Sequence, residues 1–192
     1  MGAREDGGND STLAASAAAG DRRALDTLLS RHADRVHGIC RRILGNEQDA
    51  LDATQEALIA ISRGIRSFDG RSLFSTWCYR VTTNAALDEA RRRSRRPIPA
   101  ETLPEFSSDT LGTAELVANR LDVDAALAEL LPEYRAAVAL RDLAGLDYAE
   151  IARILDIPPG TVRSRIARGR AALADRLGNP QGTSDRPTPR SS

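Results

Sequence analysis

The chain has 192 residues, and its 27 basic and 27 acidic residues give a formal net charge of zero. It contains no apolar run near the roughly 18 residues that a membrane-spanning helix needs, no signal-peptide layout in its polar first ten residues, and only two cysteines. These features argue against a membrane protein and against a disulfide-stabilised secreted domain, and they predict a cytoplasmic protein.

The composition predicts an all-α fold. Hydrophobic residues make up 41% of the chain and aromatic residues only 4%, Ala and Leu dominate, and β-branched runs are absent. Proline, serine and acidic residues interrupt the helical pattern at 97–114, and Gly, Pro, Ser and Thr dominate 178–192. We therefore predict two small helical domains, residues 11–96 and 115–177, joined by a flexible linker at 97–114, with disordered ends at 1–10 and 178–192.

Three helices are predicted in the N-terminal half. Asp21 is placed to cap the first helix, and Gly45 is placed to end it. The second helix covers residues 47–62 and the third covers residues 73–93. A loop at residues 64–72 separates them.

Four helices are predicted in the C-terminal half. The first covers residues 122–130. Pro132 suits the first turn of the second helix, and Gly145 suits its end. The third and fourth helices cover residues 148–155 and 159–176.

The last two helices form a predicted helix-turn-helix over residues 147–173. On one side of its second helix, small or apolar residues recur with helical spacing: Val162, Ile166, Gly169 and Leu173. The opposite side carries side chains that suit the major groove, where Arg binds guanine and Ala leaves room for a thymine methyl: Arg163, Ser164, Ala167 and Arg168. Thr161 is assigned to the same surface, and Arg165 and Arg170 are placed for phosphates. The alternative is an ordinary helical hairpin with a solvated basic face.

Three motifs resemble conserved regions of bacterial sigma factors. Residues 42–56, RILGNEQDALDATQE, resemble the second region, and residues 74–80, FSTWCYR, resemble the segment that melts the minus-ten element. Residues 148–152, YAEIA, and 160–165, GTVRSR, resemble the fourth region, which recognises the minus-thirty-five element. In this order the motifs resemble the two-domain extracytoplasmic-function (ECF) group over residues 12–177.

The resemblance implies two sites in the N-terminal half. A face of the second helix would bind the coiled coil of the largest subunit of RNA polymerase: Asp49, Asp52, Gln55 and Glu56. For any single residue there, a plain solvated face is the alternative.

The set implied to bind and melt the minus-ten element lies in the loop and on the third helix: Phe68, Asp69, Arg71, Arg80, Asn84, Arg91, Arg92, Arg95 and Arg96. The block of five Arg in residues 91–96 suits duplex phosphates. Phe68 fits a base-capturing pocket and a core plug equally well, and Trp77 is predicted to lie in the core.

The implied partners are promoter DNA, core RNA polymerase through its largest-subunit coiled coil and its flap, and an anti-sigma factor of a kind that is often membrane-bound. No cofactor is predicted, and no catalytic set is visible, so the chain is interpreted as a sigma factor and not as an enzyme.

One rival hypothesis is a stand-alone helix-turn-helix regulator that binds DNA without polymerase. Another is a metal sensor or enzyme built on His32, His37 and Cys40, which is disfavoured because these are the only candidate ligands and Cys40 faces the core.

Overall fold

The computed structural model describes residues 6–95 and 130–177, with side chains at 9–95 and 130–175. The regular elements within these ranges are α1 (Asp6–Ala18), α2 (Arg22–Leu44), α3 (Glu47–Gly64), a 3₁₀ turn (Ile65–Ser67), α4 (Phe74–Arg95), α5 (Pro132–Asp142), α6 (Tyr148–Leu155) and α7 (Pro159–Leu177). The all-α prediction is therefore confirmed for this part of the chain. None of its helices is long and apolar enough to cross a membrane.

Three features predicted from the sequence lie on residues that the structure does not describe. The linker at 97–114, the tail at 178–192 and all of the helix predicted at 122–130 except Leu130 lie outside the described residues.

The ends of α2 form as the sequence predicts. The Asp21 carboxylate accepts hydrogen bonds from the backbone N–H of Arg23 at 2.9 Å and of Ala24 at 3.3 Å. Gly45 ends the helix in the left-handed conformation with φ 74°, and its N–H donates to the Arg41 carbonyl. A residue with a Cβ would be strained at that φ, which explains the glycine.

The helices α2, α3 and α4 pack against one another as the body of the N-terminal domain. Their buried faces are mostly aliphatic. The first two turns of α4 add two enclosed aromatic residues, Phe74 and Tyr79. The largest of these core side chains are Leu28, Val36, Ile39, Ile43, Ile61, Phe74 and Tyr79. The apolar side of α2 thus faces the core, although Leu25 and Leu29 are only half-buried.

The predicted disorder of residues 1–10 is wrong from Asp6 onward, where α1 begins. Asp10 is only 5% exposed, and its carboxylate lies 2.8 Å from His32 Nε2 and 3.1 Å from Arg31 Nη1. Ala14 and Ala17 face the core and allow α1 to approach the domain closely. The polar composition concealed this helix because its burial depends on two alanines and one paired carboxylate.

The helix-turn-helix consists of α6 and α7. Asp147 and Glu150 form a capping box at the start of α6, with reciprocal bonds of 2.8 and 2.9 Å between side chain and backbone. Asp156 ends α6 in the left-handed conformation with φ 53°, which Asp tolerates better than most residues. Ile151 from α6 and Ile166 from α7 are buried between the two helices.

The helix α5 packs between the two domains. Its residues 135–140 are all buried. Toward α7, a Cβ on Gly169 would lie 2.6 Å from Val138 Cγ2. Toward α2, a Cβ on Gly38 would lie 3.0 Å from Cδ2 of Leu143, the residue that follows α5. In addition, α4 contacts both α5 and α6. The two predicted domains therefore share one core, a contact that the sequence did not predict.

Candidate nucleic-acid interface

The second helix of the helix-turn-helix, α7, buries one side and exposes the other. Its inward side is Val162, Ile166 and Gly169. The four side chains predicted to contact base edges are all exposed: Arg163, Ser164, Ala167 and Arg168. The face is therefore free to enter a groove, as its assignment requires.

Two tyrosines outside the predicted set lie beside the Arg side chains of α7. Arg168 Nη1 donates to the Tyr134 hydroxyl at 3.3 Å, and the guanidinium of Arg165 lies 6.0 Å from the centre of the same ring. The guanidinium of Arg163 lies 5.9 Å from the centre of the Tyr148 ring. Stacking on aromatic rings limits the rotamers of a long side chain and leaves its donors available. Because Tyr134 is 34 positions from Arg168, the sequence alone gave no sign of this support.

Arg170 differs from the other Arg residues of α7 because it is paired. Its guanidinium donates two hydrogen bonds to Asp142 at the end of α5, the one from Nε at 3.3 Å. These hydrogen bonds raise the pKa of Arg170. The pair balances the charge of Arg170, whereas the base-contacting face on the same helix carries no acidic side chain.

The exposed side of α4 forms a second polar stripe. Its members recur every three or four positions and so lie on one face of the helix: Arg80, Asn84, Asp88, Arg91 and Arg95. Arg91 donates to Asp88 at 2.8 Å. The stripe places the predicted minus-ten residues Arg80 and Asn84 in line with the basic end of α4. Arg96, also predicted to bind DNA, lies outside the described residues.

The basic end of α4 is joined to the acidic face of α3. Arg93 Nη1 donates to Asp49 at 2.8 Å, and Arg92 donates to both Glu56 and Glu89. The hydrogen bond to Glu56 is the main reason that the pKa of Arg92 is raised. Residues predicted for two separate partners, polymerase and DNA, are thus paired with each other. The sequence did not predict these pairs because their members lie 36 and 44 positions apart.

The predicted polymerase-binding face of α3 is exposed at Asp52, Gln55 and Glu56, while the Asp49 side chain is 18% exposed. Two aliphatic side chains that were not in the predicted set lie on the same helix, Leu51 at 43% and Ile59 at 49% exposure. Exposed aliphatic side chains with polar side chains around them match the apolar core and polar rim of a protein-binding surface. Their exposure was not visible in the sequence because aliphatic residues also fill the buried side of α3.

The loop before α4 divides into a packed part and an exposed part. The ring of Phe68 lies 5.4 Å from the ring of Trp77 and 6.0 Å from that of Phe74, so it joins an aromatic cluster. This contact favours the core-plug interpretation of Phe68, and Trp77 is half-buried beside it. Asp69 and Arg71 are exposed, with Arg71 Nε 3.2 Å from an Asp69 oxygen.

The residues of the disfavoured metal-site hypothesis have other partners. His37 lies 3.1 Å from Glu47 and 3.3 Å from Thr54, and His32 pairs with Asp10. Burial raises the pKa of the Cys40 thiol to about 11. Across residues 6–95 and 130–177, no three His, Cys, Asp or Glu side chains are grouped so that they could hold a metal ion.

Two family models match the chain in the order that the motifs predicted. The model described as Sigma-70 region 2 matches residues 28–96, and the model described as Sigma-70, region 4 matches residues 120–173.

Relatives with similar sequences carry names of one kind. ECF RNA polymerase sigma factor SigE of Mycolicibacterium smegmatis is 44% identical over 83% of the chain, which spans 65% of that relative. ECF RNA polymerase sigma factor SigM of Mycobacterium tuberculosis strain H37Rv is 39% identical over 88% of the chain and 85% of its own length. The ECF sigma-E factor of Escherichia coli K12 is 34% identical over 82% of the chain and 88% of its own length.

Two solved structures resemble the fold. CnrH, solved in complex with the cytosolic domain of CnrY, matches with a TM-score of 0.66 and 28% identity over 88% of the chain and 97% of its own. RpoE of Bartonella quintana, solved with the anti-sigma factor NepR, matches with a TM-score of 0.64 over 84% of the chain and 98% of its own. The second pair is 21% identical, so that likeness concerns the fold alone.

Proposed function

Because the chain belongs to the ECF group of the sigma-70 family, we propose that it binds core RNA polymerase and directs initiation from promoters with a minus-ten and a minus-thirty-five element. In this proposal the N-terminal domain extends from α1 to residue 96, and the C-terminal domain covers residues 115–177. As a polymerase subunit, the protein would act at the nucleoid in the cytoplasm.

The proposed polymerase contact is the acidic and aliphatic face of α3. Asp52, Gln55 and Glu56 supply carboxylate and amide oxygens, and Leu51 and Ile59 supply exposed aliphatic area. Burial of the two aliphatic side chains against a coiled coil would contribute affinity, and the carboxylates would orient the contact. Asp49 belongs to the same face, but it must first leave Arg93.

The proposed minus-ten contact combines the exposed loop residues Asp69 and Arg71 with the stripe on α4. Arg80 and Asn84 are exposed there and bring hydrogen-bond donors, which suits unstacked bases and nearby phosphates. At the end of the stripe, Arg91 and Arg95 would contact duplex phosphates. Phe68 would support the loop from within the aromatic cluster rather than stack on a base.

The proposed minus-thirty-five contact is α7 in the major groove. Arg163, Ser164 and Arg168 would contact base edges, and Ala167 would allow close approach to a thymine methyl. Thr161, Arg165 and Arg170 would contact the backbone, the last after exchanging Asp142 for a phosphate. The observation that carries the proposal is the joint exposure of this face and of the polymerase-binding face of α3 in a chain with both sigma-70 regions.

The test is a binding titration of labelled chain with core RNA polymerase and with promoter DNA, separately and together. A sigma factor binds polymerase when no DNA is present. It binds DNA with sequence preference only in the complex of all three components. A stand-alone regulator, the second candidate, would bind an operator tightly without polymerase. Asp52→Ala with Gln55→Ala should reduce polymerase affinity at least tenfold, whereas Arg66→Ala, also exposed but outside that face, should not.

We also propose an anti-sigma factor as a regulatory partner. The support is the resemblance to ECF sigma factors together with the 28% identical structural relative CnrH, which was solved in complex with the cytosolic domain of CnrY. A pull-down of the tagged chain from its native host, before and after stress, would identify such a partner by its release on induction.

A further inference from the structure

The first helix, α1, has no part in the contacts proposed above. It ends before residues 28–96, which the Sigma-70 region 2 model matches, and none of the side chains assigned to polymerase or DNA lies on it. It is nevertheless docked closely, since Ala14 is 0% and Ala17 is 3% exposed. The helix packs against α2, α4 and the 3₁₀ turn. The turn and α4 flank residues 68–73, the loop proposed to bind the minus-ten element, which we call the minus-ten loop.

The chain enters the minus-ten loop from the 3₁₀ turn (Ile65–Ser67), and α1 packs against that turn. Ile65 is 2% exposed, so the turn is fixed to the core of the domain. The backbone N–H of Phe68 donates to the Ile65 carbonyl at 3.1 Å, which sets the direction of the first residue of the loop. The position of α1 therefore affects the start of the loop.

The minus-ten loop ends at Phe74, the first residue of α4, and α1 reaches this residue through one side chain. The rings of Phe74 and His32 meet edge to face, with their centres 5.2 Å apart. On its other side His32 is held from α1, because its Nε2 lies 2.8 Å from Asp10 Oδ2. The ring of Phe74 also lies 6.0 Å from that of Phe68, so the two ends of the loop are in contact.

The Asp10 carboxylate fixes the orientation of the His32 ring. Its second oxygen accepts from Arg31 Nη1 at 3.1 Å, and the Asp10 side chain is only 7% exposed. The other ring nitrogen of His32, Nδ1, lies 3.5 Å from the buried Tyr79 hydroxyl. Water has little access to this group of side chains, and a buried ring nitrogen that loses its partner is strongly unfavourable. Removal of the carboxylate should therefore move the ring on which Phe74 rests.

We propose that α1 holds both ends of the minus-ten loop, and that Asp10 and His32 are positioning residues for recognition and opening of the minus-ten element. Neither side chain touches DNA. The exposed Asp69 and Arg71 lie between the two fixed ends, so their placement depends on those ends. This inference rests on the proposed function only in naming minus-ten DNA as the ligand of the loop.

The fluorescence of Trp77 tests the inference in the free, full-length chain. Trp77 is the only tryptophan of the sequence, and its ring lies 5.4 Å from that of Phe68 and 5.8 Å from that of Phe74. In Asp10→Ala the emission should move to longer wavelength and acrylamide quenching should increase, under conditions in which circular dichroism shows a folded protein. Asp10→Asn keeps an oxygen acceptor for His32 and should restore the wild-type emission. An unchanged emission in Asp10→Ala, or no rescue by Asp10→Asn, would overturn the inference.

Promoter opening by the polymerase complex gives the functional measurement. Permanganate reactivity of unpaired thymines in the minus-ten element should fall about tenfold in Asp10→Ala, which corresponds to the loss of one buried hydrogen bond. Polymerase affinity and protection of the minus-thirty-five element should stay unchanged, because α3 and α7 keep their exposed faces. Equal losses in opening and in minus-thirty-five protection would contradict a role at the loop.

The matched control is a core substitution at the other end of the domain. Ile43 is 0% exposed and lies just before α3, and the 18 residues of α3, about 27 Å, separate it from the minus-ten loop. Ile43→Val or Ile43→Ala, whichever matches the urea midpoint of Asp10→Ala, should leave Trp77 emission and opening unchanged. Equal changes in the control and in Asp10→Ala would show general destabilisation and overturn the inference.

A double variant tests whether Asp10 acts through the loop. Phe68→Leu removes the aromatic ring that joins the two ends of the loop, so its loss of opening should overlap with that of Asp10→Ala. Losses that multiply would show that the two residues act independently. If the proposed function is wrong, the wild-type chain itself opens no promoter, whereas the fluorescence result still decides whether α1 holds the loop.

Discussion

Gly169 and Val138 are in closer contact than any larger residue at position 169 would allow. A Cβ at Gly169 would lie 2.6 Å from Val138 Cγ2, less than the distance that carbon atoms normally keep. Val138 is itself buried, with Ala137 and Ala139 enclosed on either side of it in α5. The position of the recognition helix on the rest of the C-terminal domain therefore depends on this glycine.

Gly169→Ala should destabilise the C-terminal domain by about 1–3 kcal/mol, because the added methyl overpacks a site that cannot yield. Chemical denaturation followed by circular dichroism measures the change. Gly160→Ala in the same helix is the control, since no atom lies within 4 Å of its added Cβ. It should stabilise the protein by about 0.5–1 kcal/mol or leave it unchanged. Equal losses in both variants would contradict the close contact.

Arg168→Ala should cost about 1–3 kcal/mol of binding at one position of the minus-thirty-five element, because this side chain is assigned to a base edge. Arg170→Ala should weaken binding evenly across sequences, and only slightly, because Asp142 already balances its charge. Affinities of the polymerase complexes for a set of single-base promoter variants separate the two patterns. An even loss with both substitutions would refute the assignment of the α7 face.

Asp10→Ala should destabilise the N-terminal domain by about 1–3 kcal/mol, because it leaves Nε2 of the buried His32 without its partner. The urea midpoint of the full chain measures the loss. Asn9→Ala is the control, since Asn9 is the exposed neighbour of Asp10 in α1. If the two substitutions had the same small effect, α1 would not be held by this carboxylate.

Both cysteines should resist alkylation in the folded protein. Burial raises the pKa of Cys40 to about 11 and that of Cys78 to about 12, and the thiolate is the reactive form. A thiol is mostly protonated at any pH below its pKa. With a pKa of about 11, only about one Cys40 thiol in a thousand is ionised at pH 8. Mass spectrometry after iodoacetamide treatment should show both thiols intact in buffer and modified in guanidinium. Equal labelling in both conditions would show that the thiols are accessible.

Most of the fold followed from local sequence signals. Asp21 and Gly45 set the ends of α2, and Asp147 with Glu150 set the start of α6, because capping depends on residues within one turn. The helix α1 was missed because its burial depends on Asp10 meeting His32, 22 positions away. The contact between the two domains was missed for the same reason.

The sequence was enough to predict which helix faces carry the candidate site. It was not enough to predict which side chains form ion pairs between the helices. Helical periodicity was enough to separate the exposed Arg163 from the buried Val162. It could not reveal that Arg93 meets Asp49, since ion pairs between helices depend on tertiary packing. The block of Arg at the end of α4 therefore has a structural role that its charge alone did not indicate.

In vitro transcription with purified core RNA polymerase on fragments of the host genome tests the central claim most directly. The account predicts transcripts that start at defined sites only when the chain is added. It also predicts that the two sequence elements upstream of those sites are shared among the active fragments. Arg168→Ala should abolish the preference at one upstream position, while the level of polymerase binding stays the same. Failure to initiate on any fragment, together with tight binding of the chain alone to DNA, would contradict the account and favour a stand-alone regulator.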